Sequence, residues 1–504
     1  MSRQPAVTPW AAIADTYRRH LPPGALAHFR VDGLDRLGIP VVTARLAAQD
    51  GSGSVEGIGY GATDDEAMVG ALGELSEEAH AARALAAMPR EEASHRALVR
   101  ERGNRGVLDP ATVGLPAGSD WDPARPLAWV EGRWLASGEP VLVPECLACE
   151  APGQLRSTRP PLVLPITNGL GAGLCREQAI VHGLLELLQR DGNVLSYRAL
   201  DRGIAIDLDA VVDPEVRRLV DGYRAQGIDV MAKIASTDFG LANVYVIGDD
   251  HGDGGAHEPL PLRLTACGEA VHPDRERALR KALLEYAGSR ARKSFRHGPL
   301  DRVAAIAPPG YLERVLPGID PAREEPRALE AMVDWLGLDA DRLRGLLAPP
   351  GILAVRERRP LASLPSVPPG SADDPADRLA LVVERLADED LEPIVVDFSP
   401  PGGAVFAVKT IVPGLEAETL SYHRIGERGV RRLVERESPF AAIGASAPAG
   451  LRRVVLTADA ERRLGGPAWL DTDALDERVG ALYPLYREPG GHAAQVALAA
   501  RRHA

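Results

Sequence analysis

Three glutamates, Glu74, Glu186 and Glu285, each close the same short pattern of an alanine, a small residue four on, a leucine, and an acid seven past the alanine. The copies run Ala67…Ala71-Leu72…Glu74, Ala179…Gly183-Leu184…Glu186 and Ala278…Ala282-Leu283…Glu285. At about 100° per residue these positions fall on one stripe of a helix. The stripe is small and apolar, yet an acid ends it each time. A buried charge without a partner is costly, and one divalent cation would serve all three. Glu77 follows Glu74 by three, Gln189 follows Glu186 by three, and Arg190 and Asp191 come next; residues at that spacing touch on a helix. Lys281 precedes Glu285 by four and Arg290 follows it by five. Hard carboxylate oxygens suit Mg²⁺, which commonly shares its coordination with nucleotide phosphates, and the cations would neutralise those phosphates. The residues read as metal ligands are Glu74, Glu77, Glu186, Gln189 and Glu285. Helical glutamates are ordinarily solvated, so one copy alone would carry no weight; three in a common context do.

That context is strand, glycine-bearing turn, helix. The extended run Leu37–Leu46 leads to Gly57-Ile-Gly59-Tyr-Gly61, and Thr63-Asp-Asp-Glu66 fits a capping box before the first repeat helix. Leu162–Ile166 leads to Thr167-Asn168-Gly169-Leu-Gly171-Ala-Gly173 before the second. Strand-like runs at 241–247 and 260–265, joined by a turn-rich loop through Asp249-Asp250-His251, lead to Gly268 and then His272-Pro273-Asp274, where the proline suits a first helical turn. Glycine turns opening a helix would offer N–H groups to an anion. Residues 1–36 read as a polar, helical N-terminal extension, 37–435 as the catalytic unit with a proline-rich exposed excursion at about 346–376, and 436–504 as a partly helical tail. Runs at 393–398 and 405–412 read as strands. The alternation predicts an α+β (mixed α/β) fold.

At 504 residues with net charge −13, the chain is a poor match to nucleic acid or an anionic membrane. It has no apolar stretch long enough to span a bilayer and no signal-peptide pattern at its start, which predicts a cytoplasmic protein. Four cysteines are too few for a disulfide scaffold; Cys146-Leu-Ala-Cys149 reads as structural thiols. There is no Walker A loop, zinc helix or nucleophile elbow, so a nucleotide here would bind by another architecture.

In order along the chain, Gly38-Ile-Pro40, the glycines of 57–61, the Glu74/Glu77 pair, Thr167–Gly173, Glu186-Leu-Leu-Gln-Arg-Asp191, Glu285-Tyr-Ala-Gly-Ser-Arg290 and Ile411-Val-Pro-Gly-Leu415 resemble the YcaO family over about residues 35–435. The resemblance implies repeated units around a Mg-ATP site and an enzyme that phosphorylates a peptide or protein backbone amide for attack by sulfur, oxygen or nitrogen, giving a thioamide, azoline or amidine with ADP and phosphate. It implies catalytic roles for Glu74, Glu186 and Glu285, and nucleotide contacts from these three together with Ser54, Glu77, Thr167, Asn168, Gln189, Arg190, Lys281 and Arg290. The family commonly has Glu where Gln189 stands, and Arg280 beside Lys281 is a second candidate for the phosphates. The chain ends Ala-Ala-Arg-Arg-His-Ala504 rather than in the proline-rich tail of azoline-forming members, which shifts weight toward thioamide, amidine or an unassigned reaction while leaving azolines open. A leader-binding, TfuA-like or sulfur-delivery partner and a homodimer are further implications. Two other readings stay open: a non-catalytic nucleotide-binding accessory protein, and a carboxylate metallohydrolase with no affinity for ATP.

Overall fold

In the computed structural model, which describes residues 9–49, 53–252 and 261–503, each repeat helix lies on the strand before it. The helices are Asp64–Ala87, Arg176–Asn193 and Arg275–His297; the strands are Ser54–Tyr60, Leu170–Gly173 and Gly268–His272. Each strand is the edge of a different sheet. Ser54–Tyr60 borders an antiparallel sheet with Val41–Ala48 and Gly24–Arg30. Leu170–Gly173 borders a six-stranded sheet, next to Phe406–Ile411 and then Ile394–Asp397. Gly268–His272 borders a five-stranded sheet, beside Ala242–Asp250 and Ile228–Ser236. The fold is α+β, with three mainly antiparallel sheets set around three helices.

The small stripe has a packing cause. A Cβ on Gly59 would stand 2.1 Å from the Ala67 carbonyl oxygen, one on Gly171 2.1 Å from that of Ala179, and one on Gly268 2.0 Å from that of Ala282. Strand and helix backbones therefore touch, which only glycine on one side and alanine or glycine on the other allows. From sequence, Gly57, Gly59, Gly171 and Gly173 are expected in anion-binding turns before the helices. All four lie within the strands, because close approach, rather than a turn, is what the missing side chains permit; only Gly61 and Gly169 of the two glycine runs stand outside them.

Each helix also packs on the strand of the next repeat: Asp64–Ala87 on Leu170–Gly173, Arg176–Asn193 on Gly268–His272, and Arg275–His297 on Ser54–Tyr60. The apolar cores follow the same cycle. Ala67, Ala71 and Leu75 cluster with Ala172; Ala179, Leu184 and Leu187 with Val271; Ala291 and Phe295 with Val41, Ile58 and Tyr60.

Several local expectations change. The first extended run becomes a strand only from Val41, since Gly38 has φ +68° and Pro40 lacks an N–H. The segment 260–265 was expected as a strand; Pro261–Thr265 is a 3₁₀ turn, and Gly268–His272 takes its place against Ala242–Asp250. Of the expected loop between them, 253–260 lies outside the described residues, as do residues 1–8 with the expected lack of a signal peptide. Pro273 stands one residue before the cap, Asp274, whose carboxylate accepts from the N–H groups of Glu276 and Arg277. Residues 9–36 hold a helix, Pro9–His20, and the strand Gly24–Arg30. In the proline-rich segment Glu357–Arg359 pairs in parallel with Ile204–Ile206, and Leu361 and Leu364 are buried. Residues 436–503 include a three-stranded sheet, Ala441–Ile443, Ala468–Leu470 and Arg452–Arg453. Among the described residues no helix is long and apolar enough to cross a membrane.

Candidate nucleotide and metal site

The repeat acids are fixed by N–H groups in the edge strands or in the turn leading into one. Ile58 N–H donates to Glu74 Oε2 at 2.7 Å, and Gly169 N–H to Glu186 Oε2 at 2.8 Å. Ala172 N–H donates to Glu77 Oε1 at 3.0 Å, so the first helix also holds the second strand. The third glutamate is held across the cycle: Tyr60 O–H donates to Glu285 Oε2 at 2.6 Å. A residue missed in the sequence closes the remaining side. Glu269, on the third strand, accepts from Gln189 Nε2 at 3.0 Å, Arg190 Nη1 at 3.0 Å and Asn193 Nδ2 at 2.7 Å, and from the Tyr197 hydroxyl. Gln189 thus turns its amide nitrogen to an acid, and Glu269 supplies the negative charge that Gln189 lacks.

These groups act on one another. Glu74 still reaches solvent; crowding by the surrounding protein, with the charge of Glu186, raises its carboxyl above the ordinary range despite the Ile58 N–H and the cations Arg292 and Arg296. Glu77 is raised well above it by burial and by Glu186 and Glu74. Burial, then Glu74 and Glu150, push Glu78 up to about 8. Glu285 is raised by burial and Glu269, against Lys281 and Arg190. Arg190 is held above its usual value by Glu269 and Glu186, which outweigh its own burial; its Nη2 stands 3.5 Å from Glu186 Oε1. His182, about half exposed, places its Nε2 3.7 Å from Glu77 Oε1. Behind Glu186, Lys409 donates to the Ile166 carbonyl at 2.5 Å and is pushed down to about 8 by burial.

Glu74, Glu77, Glu186 and Glu285 therefore share one neighbourhood with Arg190 and Lys281. Other candidates stand apart. Arg290 is fully buried, its Nε 2.7 Å from Asp35 and its Nη2 2.8 Å from Asp250. Five residues on from Glu285 it points about 140° away around the helix. Arg292 and Arg296, seven and eleven residues on, lie within about 20° of Glu285, and both act on Glu74; helical periodicity alone would have found them. Arg280 pairs with Glu215 on the surface. Ser54 accepts from Arg45 at the outer end of its strand. Asn168 donates to the Ala417 carbonyl at 2.8 Å, and Thr167 is exposed. Arg424 is bound to the Val113 and Gly114 carbonyls and Arg432 to Asp191. Burial raises the Cys146 thiol and pushes Cys149 up to about 12, so neither is a thiolate at neutral pH.

Among the described residues no three acid, histidine or cysteine side chains close into a ready-made metal cage. The donor set still fits magnesium held together with phosphates: carboxylates raised by burial and mutual repulsion lack positive charge, and Mg²⁺ ordinarily takes only one or two protein carboxylates, with water and phosphate completing its shell. The model of the YcaO cyclodehydratase family, described as ATP- and Mg²⁺-binding, matches residues 58–416. The chain belongs to the YcaO family. ATP and Mg²⁺ are the cofactors of that family and of this YcaO protein. It is 28% identical over 407 residues to an uncharacterized protein of Methanothermobacter thermautotrophicus, covering 78% of this chain and 90% of that one. It is 27% identical over 323 residues to an uncharacterized protein encoded in the tfuA 3′ region of Rhizobium leguminosarum bv. trifolii, covering 62% and 67%. Among solved structures, the YcaO from Methanopyrus kandleri bound with AMPPCP and Mg²⁺ superimposes with TM-score 0.54 at 23% identity, over 83% of this chain and 92% of that one. A heterocyclase in complex with substrate and cofactor does so with TM-score 0.58 at 18% identity, over 85% of this chain and 55% of that one. Both likenesses are to the fold.

Proposed function

We propose that this YcaO protein is an ATP- and Mg²⁺-dependent enzyme that activates a backbone amide of a peptide or protein. The carrying observation is the convergence of Glu74, Glu77, Glu186 and Glu285, from three helices far apart in sequence, beside Arg190 and Lys281. The amide oxygen takes the γ-phosphoryl group of ATP as a nucleophile adds to the amide carbon; the phosphorylated oxygen then leaves as phosphate, and ADP is released. An amide oxygen is a poor leaving group and its phosphate ester a good one. Magnesium, when bound, offsets charge on the phosphoryl oxygens.

The chain's own residues hold and orient. Glu74, Glu77 and Glu186 would ligate magnesium directly or through water, each already aimed by a backbone N–H. Glu285, braced by Tyr60, and Glu269, in the place of the missing second acid of the second helix, complete the negative wall. Arg190 and Lys281 would meet phosphate oxygens, with Arg292 on the same helical stripe as Lys281. Sulfide, a side-chain Cys, Ser or Thr, or an amine would give a thioamide, azoline or amidine. The M. kandleri structure with AMPPCP and Mg²⁺, the heterocyclase with its substrate, and the relative from a tfuA region support a nucleotide-driven peptide modification with a separate delivery partner.

The test is ADP release with candidate peptides. It should require both Mg²⁺ and peptide, and Glu74→Gln or Glu186→Gln should lower it at least about 100-fold, the scale of losing an electrostatic group in a reaction centre, with thermal midpoints unchanged or raised. Full turnover in both variants would refute the site. Nucleotide binding without turnover, across peptides and sulfide, would favour an accessory role.

A further inference from the structure

Next to the acid cluster lies a cavity of about 210 Å³ that the reaction above does not use, walled by the first sheet, the end of the third helix, and residues 311–319 and 491–492. It is many times the roughly 10–15 Å³ that a single water needs. Arg45, Arg296 and Arg314 line it against one acid, Glu56, in a chain whose net charge is −13. Glu56 stands 3.7 Å from Arg45, one acid against three guanidinium groups.

Two buried donors or acceptors there have no hydrogen-bond partner among the described residues, Arg296 Nε and His492 Nδ1. His492 is 2% exposed, and its other ring nitrogen meets the Tyr311 hydroxyl at 3.3 Å. Buried polar groups are rarely left unpaired, and here the unpaired atoms belong to two residues that line one cavity already rich in guanidinium groups. Burial and Arg296 push the His492 imidazole down to about 4, so the ring beside the cavity is neutral and adds no charge to the three arginines.

The neighbouring turn of the same helix shows which chemistry suits it. Glu488 sits there as a carboxylate shared by Arg292, at 3.1 and 3.2 Å, Lys293 at 2.5 Å and His297 at 3.1 Å. Arg296 is the next cation along, with no such acid among the described residues. The aromatic walls, Phe295 and Tyr311, suit a methylene stem. Arg296 also acts on Glu74 and Glu78, so this wall is shared with the acid cluster.

On the reading that the protein acts on peptides, we propose that this cavity binds an acidic side chain of the substrate peptide, its carboxylate held by Arg296 and Arg314. Substrates would then carry Asp or Glu near the modified amide.

Calorimetric titration of the full chain with an acetylated, amidated tetraglutamate peptide, against its tetraglutamine counterpart, tests this. Tetraglutamate should bind and tetraglutamine should not. Arg296→Gln should weaken binding about tenfold, the worth of one hydrogen bond to a charged group. Arg314 is exposed, so Arg314→Gln keeps the fold; it should also weaken the peptide while leaving affinity for Mg²⁺ with a non-hydrolysable ATP analogue within about twofold. Equal binding of the two peptides, or undiminished binding in both variants, would overturn the assignment. So would inorganic phosphate binding more tightly than tetraglutamate, which would make the cavity a phosphate site. A protein that bound the acidic peptide but no nucleotide would uphold the cavity and sink the reading of the acid cluster instead.

Discussion

Glu77 and Glu78 are acids that the folded chain keeps protonated well above the usual range, Glu78 to about 8. A group whose folded pKa is raised contributes stability that is full below its unfolded value and lost as pH rises through the folded one. Without nucleotide, the thermal midpoint should therefore fall between about pH 5 and pH 8. With Mg²⁺ and an ATP analogue it should flatten, because the cation favours the ionised acids. Calorimetry in buffers of different ionisation enthalpy should also register proton release when Mg-nucleotide binds at pH 7. A midpoint that rises across this window would show that the acids are not held as described. The repeated glutamates were legible in sequence because a helix puts positions 0, 4 and 7 on one stripe. Glu269 and Tyr60 were not: their roles come from strands reaching another repeat's helix, which no local spacing records. Arg290, five residues past Glu285, is turned by the same geometry to Asp35 and Asp250 on another side of its helix.

Between strand and helix, the glycines decide how near the acids come to the N–H groups that aim them. Gly171→Ala would press a methyl group into the Ala179 carbonyl, and overpacking of this kind costs about 1–3 kcal/mol. Gly345 is the contrast. It lies exposed in the helix Ala340–Leu347 with no atom within 4 Å of a built Cβ, so Gly345→Ala should stabilise by up to about 1 kcal/mol. Urea unfolding of the two variants reads both signs. The three helices were visible from their periodicity and from Thr63, whose hydroxyl accepts from the Glu66 N–H at 3.2 Å. The strands that carry Gly57, Gly59 and Gly171 were read as turns, because glycine in sequence signals conformational freedom and close approach alike; only the partner backbone tells them apart.

Across the whole molecule, the three repeats brace each other in a cycle, and the segment after residue 436 braces the third helix through Glu488. Surrounding cations hold that carboxyl well below its usual range despite its burial. Glu488→Ala would leave Arg292 and Lys293 without their acid, and breaking a buried pair from one side costs about 3–5 kcal/mol. The urea midpoint should drop accordingly, and more than for Arg501→Ala, whose contact with Asp334 is a surface one at 3.6 Å. None of these long-range pairings is written in local sequence: Glu357–Arg359 joining Ile204–Ile206, and Glu488 reaching back to Arg292, depend on the finished packing. The cycle is completed only when Tyr60 meets Glu285. During synthesis the first acids therefore emerge from the ribosome long before the helix that encloses them, and a stalled nascent chain ending near residue 250 should capture no magnesium nucleotide, however long it waits.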